Sequence, residues 1–178
     1  MLQEFPKFSL HTLNTFRMDA IASRYIPLYS DDDIISLAKK PGYLKNIKLV
    51  LGGGSNLLLT KNVSGIILHM LMKGISVTRE TKDHVFVQVS AGEDWDNFVK
   101  IAVDNGWGGI ENLSLIPGTV GASPIQNIGA YGAEVKDTVD SVRFYNIKTK
   151  KFCKLKNKEC CFGYRDSIFK NKLKNSAV

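Results

Sequence analysis

Between Ile116 and Val135 the chain reads IPGTVGASPIQNIGAYGAEV, four glycines in twenty residues with one charged side chain. A segment so poor in charge must act through its backbone, because amides exposed by Gly, Ser and Asn cradle an anion without supplying a counter-charge. Gly118 and Gly121 would let the chain approach a ligand closely. Gln126 and Asn127 carry the donors and acceptors that recognition of a heteroaromatic edge requires. Upstream, Gly52-Gly53-Gly54-Ser55-Asn56 offers a second nest, with side-chain donors from Ser55 and Asn56. Two separate nests suit a diphosphate better than a single phosphate. Each also has a plainer reading: a tight turn for the first, and a long loop packed under itself for the second.

The common nucleotide-binding motifs do not fit. No Gly-Lys-Ser/Thr follows Gly52, the third glycine of a dinucleotide fingerprint is missing, and the next segment reads as extended rather than helical. Metal chemistry has no support either, since His11, His69 and His84 are scattered without a carboxylate or cysteine at ligand spacing. Cys153, Cys160 and Cys161 are an odd set without CxxC spacing and read as reduced structural thiols. The net charge of +7 is concentrated in nine lysines between Lys148 and Lys174. Without interleaved arginines and stacking aromatics they read as a solvated face, so nucleic acid is not an expected partner. The start, MLQEFPKFSLHTLNTF, lacks the basic opening and apolar run of a signal peptide. No window approaches the roughly 18 apolar residues of a membrane span. A cytoplasmic protein without a membrane partner is expected.

The elements that must position these loops read as follows. Ser30, then Asp31-Asp32-Asp33, IISLAKK and Pro41, has an N-cap, acids at the positive end, lysines at the negative end and a stop, which predicts a helix of about ten residues. IKLVLGGG predicts a buried strand entering a glycine turn, and NLLLT and SGIILHM predict further strands. HVFVQVSAG is a strand, followed by a helix from Asp94 to Asn105 with Trp95, Phe98, Val99 and Ala102 on one face and Gly106 closing it. Ser123-Pro124 pairs a capping hydroxyl with the residue suited to a first helical turn, predicting a short helix with open N–H groups at its mouth. TVDSVRFYNIKTKKFCKL predicts two strands joined at Lys148–Lys150. The fold class is α+β.

Asn14-Thr15-Phe16, GGGSNLL, AGEDW, GGIENLSLIPGTVGASPIQNIGAYGAEV and ECCFGYRDSIFK together resemble, in order and spacing, the N-terminal half of the UDP-N-acetylenolpyruvoylglucosamine reductase family, flavoproteins also called UDP-N-acetylmuramate dehydrogenases. The likeness runs over essentially the whole chain. It implies the FAD-binding fold of the vanillyl-alcohol oxidase type, with two α+β subdomains clasping the flavin and expected here at residues 1–72 and 73–178. By the same resemblance Gly53, Gly54, Ser55 and Asn56 bind the FAD pyrophosphate from one subdomain, and Gly118, Gly121, Ala122 and Ser123 face it from the other. Ile128, Gly129 and Ala130 are then expected near the flavin ring. The implied reaction uses NADPH to reduce the flavin and then reduces the enolpyruvyl double bond of UDP-N-acetylglucosamine enolpyruvate, giving UDP-N-acetylmuramate for the cell wall.

The resemblance also implies a catalytic arginine, Arg165 in Gly163-Tyr164-Arg165-Asp166-Ser167. An enol ether accepts hydride poorly unless its conjugated carboxylate takes up the developing charge, and a bidentate guanidinium stabilises that charge by several kcal/mol if an oxyanion-hole comparison holds. Asp166 and Ser167 are expected to shape the turn that aims Arg165, while Trp95 and Trp107 are expected to pack. Glu93 and Glu111 are expected to be caps or solvated residues. Family members continue into a substrate-binding domain, a proton-donating serine and a second acid, none of which follows here. The chain therefore looks cut at its C-terminus, and is expected to leave a sheet edge open, to bind FAD weakly and not to turn over the UDP substrate alone. The alternative expectation is a flavin- or nucleotide-binding module without catalysis. Oligomeric state is not legible.

Overall fold

The apolar runs of the first seventy residues become one mixed sheet. In the computed structural model, which describes residues 2–178, β1 (Phe5–Ser9), β2 (Ile21–Leu28), β3 (Ile47–Leu51) and β4 (Val63–Met70) lie in the order β1-β2-β4-β3. β1 is antiparallel to β2, while β2 and β3 both run parallel to β4. The two inner strands are the most apolar and the most buried, over Tyr25–Leu28 and Ile66–Met70, as parallel strands flanked on both sides must be. β3 is an edge strand and only half-buried, so the expectation of a buried strand there is corrected. Helix α1 (Asp31–Lys39) begins at a reciprocal cap: the Ser30 hydroxyl accepts from the Asp33 amide, and Asp33 accepts from the Ser30 amide at 3.0 Å. Its Ile34 and Leu37 are buried.

NLLLT is not a strand. β3 and β4 are parallel neighbours, so the chain cannot turn tightly between them and must cross back over the sheet. Residues 52–62 make that return as irregular chain. Leu57 and Leu59 drop onto the core of Leu10, Ala20, Ala22, Tyr25, Leu51 and Ile67, while Leu58 stays exposed. The alternation that resembled a strand is a loop covering a core.

The chain divides into two units, Met1–Met72 and Lys73–Val178. The second opens with the antiparallel pair β5 (Ile75–Glu80) and β6 (Val85–Val89). Helix α2 (Trp95–Asp104) follows, capped by Asp94, whose carboxylate accepts from the Asn97 amide at 2.9 Å. Gly106, at φ +72, closes it. Trp95, Val99 and Ala102 bury with Ile110, Leu113, Ile128 and Val135, and Trp107 packs against the same cluster. The Trp95 indole N–H donates to the Leu113 carbonyl at 2.7 Å. Beyond come the short pair β7 (Gly129–Ala130) and β8 (Ala133–Glu134), then the hairpin β9 (Ser141–Asn146) and β10 (Lys151–Lys156). The second hairpin turns at Lys150, φ +54, and holds Lys151, Lys154 and Lys156 exposed. The edge of β9 is not left open: the 176–178 segment pairs with it through mutual Tyr145–Val178 bonds of 2.7 and 3.0 Å. Among the described residues no helix is long and apolar enough to cross a membrane, and no His/Cys/Asp/Glu group could hold a metal.

Two outcomes follow. A Cβ at Gly54 would stand 2.0 Å from the Leu13 carbonyl oxygen at a φ of +69. Gly54→Ala should therefore lose about 3 kcal/mol or more in urea denaturation, summing the overlap and the left-handed backbone. Burial pushes the Cys160 thiol up to about 11, with Cys161 and Glu159 adding to the shift. Iodoacetamide should label exposed Cys161 and spare Cys160 until the protein unfolds, as peptide mapping would show.

Candidate functional site

The first glycine loop leaves β3 at the carboxyl end of three parallel strands, the edge at which open parallel sheets bind ligands. Its glycines are not equivalent. Gly54 is buried against the backbone of Leu13 and Asn14, so its missing side chain makes room for the chain itself. That neighbouring loop is held by Asn14, whose buried amide donates to the Leu10 and Met18 carbonyls and accepts from the Met18 amide. Gly53 and Asn56 are exposed, and Ser55 is half-buried. Beneath the loop, His69 on β4 pairs with Leu51, the last residue of β3. Burial holds the His69 imidazole below its usual range, partly offset by a hydrogen bond to the Gly52 backbone.

The second glycine segment is built differently from its sequence-based expectation. Ser123 is in helical rather than extended conformation and ends a turn over Val120–Ala122 instead of capping a helix. Its hydroxyl donates back to the Val120 carbonyl at 2.8 Å, which removes it as an N-cap. The amides of Gly121, Ala122 and Ser123 donate to the carbonyls of Ala91, Thr119 and Val120. A Cβ at Gly121 would lie 2.6 Å from that of Ala91, so this glycine also serves close packing of the chain on itself. The Thr119 amide lies just upstream. Asp94 and Thr119 form a bridge flanked by bonds from Trp95 to Gly118 and from Val120 to Glu93, which turns the Thr119 amide away from its partner strand. The entry to the segment is pinned by Asp96, which accepts from the Leu115 amide and the Ser114 hydroxyl and is held below the usual carboxylate range by them.

From Ile125 to Ser167 the structure joins the two most distinctive sequence motifs. Tyr131 and Gly132, both at positive φ, turn β7 into β8, and Gly163–Asp166 close a second two-residue hairpin through mutual backbone bonds of 3.0 and 3.1 Å. Three side chains strap the hairpins together. The Asn127 amide donates to the Gly163 carbonyl at 2.8 Å, the Ser167 hydroxyl to the Ile125 carbonyl at 2.6 Å, and the Arg165 guanidinium to the Gly129 carbonyl at 2.5 Å. Arg165 is thus brought to the Ile128–Ala130 segment. Ile128 sends its side chain into the core, Ala130 packs against that core, and Gly129 offers its carbonyl. Arg165 itself sits at φ +52, a conformation costing about 1–2 kcal/mol for a residue with a side chain. Tyr164 is 85% exposed, and Tyr131 is 91% exposed. Asp166 accepts from the Asn171 amide, and Ser167, expected to shape the turn, anchors it to the other hairpin.

Asn127 was the residue misread from sequence. Both ends of its amide are used internally, since its oxygen accepts from the Lys136 amide at 3.1 Å, and the side chain is fully buried. Its signal was the tolerance of asparagine for left-handed backbone, φ +45. Glu111 accepts from the Gly109 amide two residues away, a local role as expected, whereas Glu93 is neither a cap nor solvated: it accepts from the Gly74 amide 19 residues away and pairs with Lys73. Asn127→Asp keeps shape and acceptor but sets an oxygen against the Gly163 carbonyl. It should cost about 1–3 kcal/mol in chemical denaturation, and an unchanged midpoint would remove the strap from the account.

Residues 31–150 match the FAD binding domain family. The chain is 46% identical over 96% of its length to UDP-N-acetylenolpyruvoylglucosamine reductase of Flavobacterium johnsoniae, covering 50% of that protein. It is 46% identical over 93% of its length to the same enzyme of Neisseria meningitidis, covering 48%. It thus spans about half the length of the curated relatives it matches. The reductase structure from Thermus caldophilus superimposes with a TM-score of 0.71 over 94% of this chain and 56% of that one, at 23% identity. Alkyldihydroxyacetonephosphate synthase superimposes with a TM-score of 0.51 over 79% of this chain and 27% of that one, at 15% identity. These likenesses give the fold, the α+β FAD-binding type of vanillyl-alcohol oxidase. The chain belongs to the FAD-binding domain family and is the counterpart of the N-terminal, FAD-binding half of UDP-N-acetylenolpyruvoylglucosamine reductase.

Proposed function

We propose that the chain binds FAD and forms the flavin-holding half of an NADPH-driven, cytoplasmic reduction of UDP-N-acetylglucosamine enolpyruvate to UDP-N-acetylmuramate, a step of peptidoglycan precursor synthesis. The observation that carries this reading is the strap between the two hairpins, which brings Arg165 to the Gly129 carbonyl. The residues fit a dinucleotide with a diphosphate. Gly53, Gly54, Ser55 and Asn56 lie at the carboxyl end of parallel strands, and Gly118 stands beside the outward Thr119 amide. A net charge of +7 favours anionic ligands.

In this reading Gly53, Ser55 and Asn56 are the ligand-facing residues of the first unit's loop and Gly118 that of the second unit's, while Gly54 in the one and Gly121, Ala122 and Ser123 in the other set the backbone that presents them. Ile128, Gly129 and Ala130 form a short rigid wall for the isoalloxazine ring. Bound FAD would supply hydride chemistry between NADPH and the enolpyruvyl double bond. Arg165 would release the Gly129 carbonyl, or share its guanidinium with it, to hold the substrate carboxylate as charge develops there.

A second reading, a flavin-binding module without catalysis, is favoured by the half-length match to the relatives. The purified protein is expected to show the visible bands of oxidised flavin, or to acquire them with added FAD; a colourless protein that cannot be reconstituted would remove both readings. With FAD bound, the enolpyruvyl substrate should perturb the flavin spectrum in the wild type. Arg165→Ala should abolish that perturbation while keeping FAD. A wild type that binds FAD but shows no response to substrate would leave the non-catalytic module.

A further inference from the structure

The arginine turn has a second cation behind it. The hairpin closed by Gly163 and Asp166 uses the N–H and C=O of those two residues and leaves the Arg165 carbonyl outside the ladder. That carbonyl accepts from the Lys170 ammonium at 2.9 Å. The peptide plane joining Arg165 to Asp166 is therefore bonded at both ends, its N–H to the Gly163 carbonyl at 3.1 Å and its C=O to Lys170. Left-handed backbone at φ +52 is strained for a residue with a side chain and would relax by turning such a plane, but here both ends are held. The Arg165 side chain leaves from the Cα beside that plane, so its direction toward the Gly129 carbonyl is set with it.

Lys170 is itself delivered by the core. Phe169, the residue before it, is buried edge to face on Phe144 at 5.4 Å, in the cluster that holds Cys160. The Lys170 amide donates to the Ser167 carbonyl at 3.2 Å, and Ser167 is strapped to Ile125. The stem thus starts from a fixed point and reaches back five residues. A lysine serving only the surface would sit with the nearest acid. Asp166 instead accepts from the neutral Asn171 amide, at 2.9 Å to each oxygen. Both cations of the turn end on carbonyl dipoles, Lys170 on Arg165 and Arg165 on Gly129, so these bonds leave both charges uncancelled. Lys170 is exposed, and truncating an exposed side chain changes stability little. What it changes is where Arg165 points.

We infer that Lys170 is a positioning residue: its ammonium holds the Arg165 carbonyl, locks the left-handed turn and so aims the guanidinium at the Ile128–Ala130 segment, where the carboxylate of an enolpyruvyl substrate would meet it. In this role Lys170 touches neither flavin nor substrate. The inference rests on the reading of Arg165 as the group that receives that carboxylate, but the hold on the turn can be measured without substrate.

The test uses Lys170→Met and Lys170→Arg in the full chain. Methionine keeps the apolar stem and loses the donor, whereas arginine keeps donor, charge and reach. With FAD bound, titration with the enolpyruvyl substrate, followed by the flavin spectrum, should show Lys170→Met weakened about tenfold, the worth of one hydrogen bond from a charged group. FAD affinity and melting temperature should not change, and Lys170→Arg should recover most of the substrate affinity. In the substrate-free protein, amide exchange at Asp166 should rise in Lys170→Met while β9 remains protected. Substrate affinity and Asp166 exchange both unchanged in Lys170→Met would refute the inference. So would a loss that follows a fall in melting temperature and is not rescued by arginine, since that is the behaviour of a packing residue. If the wild type binds FAD but gives no response to substrate, the catalytic reading fails, and Asp166 exchange then decides by itself whether Lys170 holds the turn.

Discussion

The second unit is organised around one buried side-chain amide. Asn127 donates to Gly163 and accepts from Lys136, joining backbone groups 36 and 9 residues away. Neither bond belongs to a sheet or a helix, so the hairpins they connect have no ladder between them to set their spacing. In a water-excluded position a half-satisfied amide is costly and a fully satisfied one is directional. The Ser167 and Arg165 bonds add to the same alignment. Without Asn127 those two would link hairpins free to slide, and the guanidinium would have no defined partner.

In the first unit the equivalent constraint is steric. Gly54 admits the Leu13–Asn14 backbone to a distance that no side chain would permit, and Asn14 locks that neighbouring loop from within. The sheet supplies a common carboxyl end, and the loop there is held from one side by Leu13–Asn14. Rigid backbone at a strand end presents amides to an anion with little ordering left to do on binding.

Much of this was legible in the sequence. α1, α2 and the β9–β10 hairpin carry local signals: a cap and its reciprocal acid, an apolar stripe closed by glycine, two alternating runs about a lysine turn. These are interactions within a few residues, and they form as read. The features that were misread depend on distant partners. NLLLT has the alternation of a strand, but its orientation is dictated by the parallel pairing of β3 with β4, which no local pattern records. Ser123-Pro124 has the chemistry of a helix start, yet the Ser123 hydroxyl finds the Val120 carbonyl first. β1, β2 and β5 escaped notice because each is defined by the strand it pairs with. His69 gave no signal at all, since its side-chain partner Tyr25 stands 44 residues away. Arg165 was found only through the motif around it; composition offers no way to tell a strained, strapped arginine from a solvated one.

Gly54 and Gly121 have a bearing on how relatives of this chain are classified. Both are required because another part of the same unit occupies the space of a side chain, so a descendant that had lost its cofactor would have to keep them to fold. Counting glycines in these loops therefore reports ancestry and architecture rather than ligand. The positions that can tell a working flavoprotein from a silent descendant are exposed ones that no such close approach requires, Gly53 and Asn56 in the first loop and the side chain of Arg165 in the second unit.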